Sequence, residues 1–489
     1  MRIDDAQPRA IICASGGIEF DRVIPYKPLV DEAIKQAAFQ PAHVVVLQRD
    51  FVTAELQAKR DVDYAELLRA TPVEAVPVPG THPLYILYTS GTTGRPKGVL
   101  RDHGGHAVAL RFSMQAVYGL APGETIFTGS DIGWAVGHSY IVYGPLLRGC
   151  TSVLFEGKPV RTPDAGTFWR LVAEHQAKVM FTAPTAIRAI KRRPRGPAGP
   201  PPRPEWPAPP VCGRRALRPR HVRLGRAAAR RARYRPLVAN RVGLAHARHA
   251  GGAGGHAAAR AGSAGHPVPG YDVQILDEAG EPVPAGTTGL VAVKLPLPPG
   301  CFPTLWNDDL RFQESYLNTF PGYYLSGDGG YRDADGYVYI MGRVDDVINV
   351  AGHRLSTGEM EEIMAAHPAV AECAVLGIAD SLRGQVPLGL VVLKDGQAIG
   401  EEAVERELVS SVRTQIGALA CFRSVVVVKR LPKTRSGKIL RKTLRQLADG
   451  EGVVVPSTID DPQILDEISA VFQRRGIGSA LENASDCAI

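Results

Sequence analysis

The sequence predicts a large α/β domain followed by a small α+β domain. Three observations carry that reading. Short apolar runs alternate with helical stretches over residues 1–190, as in βα units. Residues 267–341 are strand-rich and punctuated by the turn strings Asp277-Glu278-Ala279-Gly280 and Asp333-Ala334-Asp335-Gly336. Near Arg343 a fresh alternation of strands and helices begins.

Taken in order, Ala10-Ile11-Ile12 and His43-Val44-Val45-Val46-Leu47 read as strands, with a helix from Leu29 to Ala38 between them. Leu84 to Tyr88 is a third apolar strand. A turn at Pro122-Gly123 precedes the run Phe127 to Asp131, and Thr151 to Phe155 reads as another strand. Phe168 to Gln176 has the spacing of an amphipathic helix and leads into the strand Val179-Met180-Phe181. In the small domain, Glu359–Ala366 and Glu401–Ile416 read as helices, Ala371–Ile378 and Leu388–Leu393 as strands. The stretch after Asp449 is weakly patterned. The implied divisions are 1–191 and 267–343 for the large domain, 192–266 for an aberrant segment, 344–446 for the small domain and 447–489 for a tail.

The 489 residues are 45% hydrophobic, the balance of a globular protein with a sizeable core. No run of about 18 apolar residues is present, so no membrane-spanning helix is expected. The start, Met1-Arg2-Ile3-Asp4-Asp5, lacks the apolar stretch of a signal peptide. Seven scattered cysteines without CxxC spacing point to reduced thiols in a cytoplasmic protein, and thirteen histidines without HExxH spacing argue against a zinc site.

The formal net charge of +8 comes from one window. Residues 192–266 hold seventeen arginines, no lysine, no aspartate and one glutamate, Glu205, so the rest of the chain is net acidic. The window has no Ile, Phe or Met and is filled with Ala, Gly and Pro. Such a composition buries too little apolar surface to offset its ordering entropy. It reads as a segment translated out of frame from GC-rich coding DNA, as a basic arm for nucleic acid, or as an inserted linker.

Four strings carry chemistry. Tyr88-Thr89-Ser90-Gly91-Thr92-Thr93-Gly94-Arg95-Pro96-Lys97-Gly98 packs three glycines, four aliphatic hydroxyls and one lysine into a loop after a strand. Glycines bring backbone N–H groups close to a ligand, and hydroxyls and lysine add donors for phosphate oxygens. It is not a Walker A loop, because Gly98 follows Lys97 where Ser or Thr would be needed. Tyr324-Leu325-Ser326-Gly327-Asp328-Gly329-Gly330 offers an aspartate that can accept two hydrogen bonds from a ribose diol. Gly342-Arg343-Val344-Asp345-Asp346 runs on to Gly352-His353-Arg354, and Leu431-Pro432-Lys433-Thr434-Arg435-Ser436-Gly437-Lys438 puts a lysine on a glycine-containing loop.

In this register the strings resemble the motifs of the AMP-forming adenylate synthetases, the superfamily of acyl-CoA synthetases, luciferases and peptide-synthetase adenylation domains. The finer resemblance is to the short-chain acetyl- and propionyl-CoA synthetases. It rests on Ser130-Asp131-Ile132-Gly133-Trp134-Ala135-Val136-Gly137-His138 and Thr182-Ala183-Pro184-Thr185-Ala186-Ile187-Arg188. Ala14-Ser15-Gly16-Gly17-Ile18-Glu19-Phe20 looks like the propionyl subgroup.

The resemblance implies an α/β large adenylation domain, incomplete in this chain, followed by a small mobile α+β C-terminal domain. It implies ATP, Mg²⁺ and CoA as ligands of a cytoplasmic ligase acting on a short-chain carboxylate, with no membrane or nucleic-acid partner. Lys438, Arg354 and Lys97 take the catalytic positions. Thr89, Ser90, Gly91, Thr92, Thr93, Gly94, Asp328 and Arg343 take the nucleotide positions. Asp345 takes the hinge, Trp134, Ala135 and Val136 the acyl pocket, and Gly352 and Arg413 the CoA path. Ala135 is smaller than the valine common in acetate-selective relatives, which leaves room for about one methylene and favours propionate.

Two parts of the family pattern are missing. The chain begins inside the family's large domain. No Trp-Trp-Gln-Thr-Glu-like string occurs, and with it go one pocket wall and the Mg²⁺-holding glutamate. The expectation is a ligase impaired or inactive as written. The alternatives are another acyl- or aryl-activating ligase, and a non-catalytic remnant with a nucleic-acid-binding segment.

Overall fold

The computed structural model describes residues 1–19, 22–89, 96–160, 162–183, 186–187, 189–190, 260, 262–351, 353–394, 399–417, 421–434, 439–453, 455–456 and 459–477. It also gives the backbone of three short strands at 211–212, 237–238 and 245–248.

The first layer is a parallel sheet of Ala10–Ala14, His43–Leu47 and Asp61–Asp63, crossed by the helix Lys27–Gln36. Its strands are β-branched and pair in unbroken register, Ala10 with His43 and Val44 with Asp61. Beside it lies a charge network. The Lys27 ammonium, 2% exposed, sits 2.7 Å from both Asp31 and the fully buried Asp61, and Arg60 closes the ring onto the same two carboxylates. Burial alone would raise the Asp61 carboxyl, but hydrogen bonds from Arg60 and Lys27 outweigh it and hold the carboxyl down at about 2.

The centre of the large domain is a second parallel sheet, Thr125–Gly129 between Val179–Thr182 and Thr151–Val153. It is buried on both faces, as a near-continuous apolar sequence requires. Ile126, Val179 and Phe181 face one cluster, while Phe127 and Met180 face another capped by Phe168 and Val172 of the helix Thr167–Glu174. The first cluster runs on through Leu110 and Met114 of the helix His103–Ala116 into an antiparallel sheet. That sheet orders Val273–Leu276, Gly289–Lys294, Tyr323–Arg332 and Val338–Arg343, and gives Val273, Ile275, Val291, Val293, Tyr324 and Val338 to the shared core.

The small domain has a mixed sheet of Val347–Val350, His353–Ser356, Val370–Asp380, Gly384–Leu393 and Ser424–Val427. Alternation along its strands feeds two cores. Val375, Val391 and Val425 pack under the helices Thr357–Met364 and Glu401–Ile416, while Ala374, Leu376, Leu388, Leu390 and Val426 pack under Arg441–Ala448 and Gln463–Arg474.

The order of elements follows the sequence reading, with three differences. The weakly patterned stretch after Asp449 supplies the helix Gln463–Arg474, because Ile464, Ile468 and Phe472 recur every four residues on one face and bury there. Residues 138–143 form a π-helical turn, for which the sequence carries no periodic signal. The run read as Phe127 to Asp131 is strand only over Thr125–Gly129.

Within the 192–266 window the backbone strand Val211–Cys212 extends the central sheet beside Met180 and Phe181. At its far end Arg260 pairs with Asp333 at 2.6 Å and with Asp335, and lies 4.2 Å over the Tyr337 ring. Ser263 and Ala264 are buried, and Ser263 Oγ donates to the Val338 carbonyl. The body of the protein is thus rejoined by Arg260, ahead of the sequence-based boundary at 266. Two further backbone strands, Leu237–Val238 and Ala245–Arg248, pair antiparallel, the second also with His266–Pro267; residues 192–210, 213–236, 239–244, 249–259 and 261 lie outside the described residues. Among the described residues no helix is long and apolar enough to cross a membrane.

The depressed Asp61 carboxyl sets a pH dependence. Its folded value lies below the ordinary 3.8, so its stabilisation is present above about pH 4 and is lost as pH falls toward 2. Asp61→Asn should lower stability near neutrality by about 3 kcal/mol, since it strands a buried ammonium beside one remaining carboxylate. It should also flatten the acid limb between pH 4 and 2. Urea midpoints measured across that range check both.

Candidate functional site

The glycine- and hydroxyl-rich loop is the tip of a hairpin. Strands Pro83–Thr89 and Lys97–Asp102 pair antiparallel, and Thr89 and Lys97 are the last partners before the loop. The far edge of the second strand is also held: the Trp306 amide donates to the Gly98 carbonyl at 2.7 Å and the Leu100 amide to the Thr304 carbonyl. A Cβ at Gly98 would lie 3.0 Å from Ile86 and 3.2 Å from Trp306, so these side chains would have to give by a few tenths of an ångström. Ser90, Gly91, Thr92, Thr93 and Gly94 lie outside the described residues.

Lys97 is 5% exposed and turns toward the helix Asp309–Tyr316. Its ammonium donates to Ser315 Oγ at 3.1 Å and lies 5.0 Å over the Tyr316 ring. At the other root of the hairpin, Tyr88 donates its hydroxyl to Asp5, whose carbonyl accepts from Trp306 Nε1. Burial first, then Asp5, raises the Tyr88 phenol well above its ordinary range.

Asp328 is in mid-strand, at a bulge. Ala292 pairs with Leu325 and Val291 with Asp328, so Ser326 and Gly327 are unopposed. Ser326 Oγ donates to the Val291 carbonyl and accepts from the Asp328 amide, and Gly327 takes a φ of +74°. Across the next ladder Asp328 is the direct partner of Arg343. Arg343 Nη1 donates to the Ser326 carbonyl at 3.1 Å and stands 3.6 Å from the Asp328 carboxylate. Two residues from separate sequence motifs therefore meet side by side, and both remain partly open to solvent.

Trp134, Ala135 and Val136 follow a turn in which Asp131 Oδ1 accepts from the Gly133 amide. Ala135 and Val136 are buried, and Val136 joins the main core. His138 Nδ1 bonds the Trp134 carbonyl. Behind this turn His106, 1% exposed, packs against Tyr85 and Tyr143. Neither of its ring nitrogens has a hydrogen-bond partner among the described residues. Burial, and then Arg101 and His138, depress it to about 3, so it is a neutral core histidine near neutral pH.

Asp345 is the middle residue of the single 3₁₀ turn Val344–Asp346 between the two domains' sheets. Arg354 pairs through its backbone with Asn349 on the strand His353–Ser356. The side chains of Asp345 and Arg354, and all of Gly352 and Lys438, lie outside the described residues. The neck of the Lys438 loop is pinned by a bridge between Lys433 and Ile439. Arg413 is exposed in the last turn of the helix Glu401–Ile416. Among the described residues no cluster of three or more His, Cys, Asp or Glu could hold a metal ion. Sequence reasoning missed Asp5, Ser315 and Tyr316, none of which belongs to a motif string.

Comparison with known proteins shows the family. A family model described as AMP-binding enzyme matches residues 1–298, and one described as AMP-binding enzyme C-terminal domain matches 359–438. An uncharacterized protein of Pseudomonas aeruginosa is 53% identical over 98% of this chain and 76% of its own length. The mitochondrial acyl-CoA synthetase short-chain family member 3 of Mus musculus is 45% identical over 97% of the chain and 70% of its own. The propionate–CoA ligase of Escherichia coli is 42% identical over 96% and 76%. Among solved structures, the acetoacetyl-CoA synthetase of Streptomyces lividans superposes with a TM-score of 0.82 over 97% of the chain and 72% of its own, at 23% identity, a likeness of fold.

The bulge makes a specific demand on Gly327. A Cβ there would lie 2.6 Å from the Arg343 guanidinium, on a backbone that L side chains avoid. Gly327→Ala should destabilise the protein by about 1–2 kcal/mol and displace Arg343. A urea midpoint shift larger than that of the control Gly286→Ala, which meets the same positive-φ strain in open surroundings, checks the contribution of Arg343.

Proposed function

The chain belongs to the AMP-binding enzyme family as an AMP-forming acyl-CoA ligase, and from that premise we propose that its site activates a short-chain carboxylate, propionate in preference to acetate. In the first half-reaction a carboxylate oxygen attacks the α-phosphorus of ATP, the bond to the β-phosphate oxygen breaks, and pyrophosphate leaves. In the second the CoA sulfur attacks the acyl carbon and AMP leaves. Charge builds on phosphoryl oxygens, so the protein's work is to supply donors and cations around them.

The pairing of Asp328 with Arg343 carries the reading. A carboxylate held by a guanidinium at a partly open bulge is suited to accept both hydroxyls of a ribose while Arg343 donates beside it. The hairpin ending in Thr89 and Lys97 presents its loop for the phosphates. Lys97 has a four-carbon stem by which its ammonium can pass from Ser315 to a phosphate oxygen. Lys438 is assigned the cation that approaches the α-phosphate, Arg354 a second phosphate contact, Gly352 and Arg413 the CoA side, and Asp345 the pivot between the half-reactions. Mg²⁺ would come with ATP. Among the described residues no cluster of three or more His, Cys, Asp or Glu stands ready for it.

Trp134, Ala135 and Val136 line the proposed acyl pocket, and the methyl of Ala135 supports the longer acid. We further propose that the chain as written is impaired. The interval between Arg188 and Gly270, which in the family resemblance supplies a Trp-Trp-Gln-Thr-Glu-like string, here holds the arginine-rich window. A lost pocket wall and metal carboxylate cost orders of magnitude in rate.

Propionate-dependent ATP–pyrophosphate exchange tests both statements. The chain as written should remain at background. A chimera carrying the corresponding segment of the Pseudomonas relative should exchange at least about 100-fold above it. Exchange by the chain as written overturns the impairment, and a folded chimera inert with every short carboxylate overturns the adenylation reading. In the active chimera, Ala135→Val should lower kcat/KM for propionate relative to acetate by about tenfold, the effect of roughly one methylene.

A further inference from the structure

The two sheets are joined by only three residues, and the structure shows what holds the first and the last of them. Arg343 is the last residue of the large domain's ladder, anchored to Asp328 and to the Ser326 carbonyl. Val344 packs against the large-domain cluster of Leu276, Leu290, Ala292 and Phe320. On the other side Val347 opens the small domain's ladder as the partner of Ser356. Asp346 stands 3.9 Å from Arg441, the first residue of the helix Arg441–Ala448.

Arg441 is in an unusual place. A cation at a helix N-terminus opposes the helix dipole, and this one is only 17% exposed. Two carboxylates compensate. Nη2 and Nε donate to Glu361 Oε1 at 2.7 and 3.2 Å, while Nη1 faces Asp346. Glu361 is buried and also accepts from the Val375 amide, so it is fixed to the small domain's sheet. The planar guanidinium spans both acids, which a lysine's point charge cannot do.

We propose that Arg441 is a positioning residue that ends the hinge: by tying Asp346 to Glu361, it makes Asp346 part of the rigid small domain and leaves Asp345 as the sole pivot. The same side chain sits just past the pinned neck of the loop that carries Lys438. The hinge and the loop exit therefore turn as one body, and rotation at Asp345 reaches the loop undiminished. The use of that rotation rests on the adenylation reading, whereas the clamp itself does not.

Hydrogen–deuterium exchange on the full chain tests it without requiring turnover. Asp346→Asn keeps size and the Glu361 contact. It should speed amide exchange roughly two- to fivefold in peptides covering 346–350 and also in 441–446, with strands Val370–Asp380 and Tyr323–Arg332 unchanged. Arg441→Lys should speed both regions about tenfold or more. Exchange in 441–446 that ignores Asp346→Asn overturns the clamp, because Arg441 then serves Glu361 alone. Equal acceleration in Val370–Asp380 overturns it too, as general loosening. Should Arg441→Lys unfold the small domain, Asp346→Asn decides by itself. In the chimera, Asp346→Asn should lower kcat for thioester formation more than for pyrophosphate exchange, with KM for ATP unchanged. Absence of all turnover there would count against the function and leave the exchange result to judge the clamp.

Discussion

The large-domain part of this site hangs on a single shared core. The cluster that buries Ile126, Val179 and Phe181 of the parallel sheet also buries Val273, Val291, Tyr324 and Val338 of the antiparallel one, with Leu110 and Met114 between them. The hairpin leads straight into the helix that carries Leu110, the Trp134 turn ends in Val136, and the Asp328 bulge is flanked by Tyr324. Dense packing makes their relative positions a property of the interior, so a cavity far from any ligand would be felt at all three.

Local signals were legible in the sequence, whereas pairings were not. Alternation located His43–Leu47 and Val179–Thr182, and helical spacing located Glu401–Ile416, because each depends on which face of one element is buried. The motif strings located Thr89, Lys97, Asp328 and Arg343. The bulge at Ser326 and Gly327 is a property of two strands in register, and neither strand alone encodes it. Likewise the partner of Lys97 is 218 residues away and the buried acid of Arg441 is 80 away. The helix Gln463–Arg474 was missed although Ile464, Leu465, Ile468, Val471 and Phe472 give it a regular apolar face.

The arginine-rich window shows the contrast between composition and context. Arg260 has two aspartates and an aromatic face, all supplied by the turn at Asp333 and Asp335 and by Tyr337. Its place in the fold is set by these acceptors. The window itself holds a single carboxylate, Glu205, for seventeen guanidinium groups.

The small domain covers both faces of its own sheet, with one pair of helices on each side. Ser356 Oγ, which caps the helix Thr357–Met364, donates across the boundary to the Met341 carbonyl. A swing that broke this bond would leave the cap intact and both apolar cores closed. Breaking it would cost on the order of one hydrogen bond, about 1 kcal/mol.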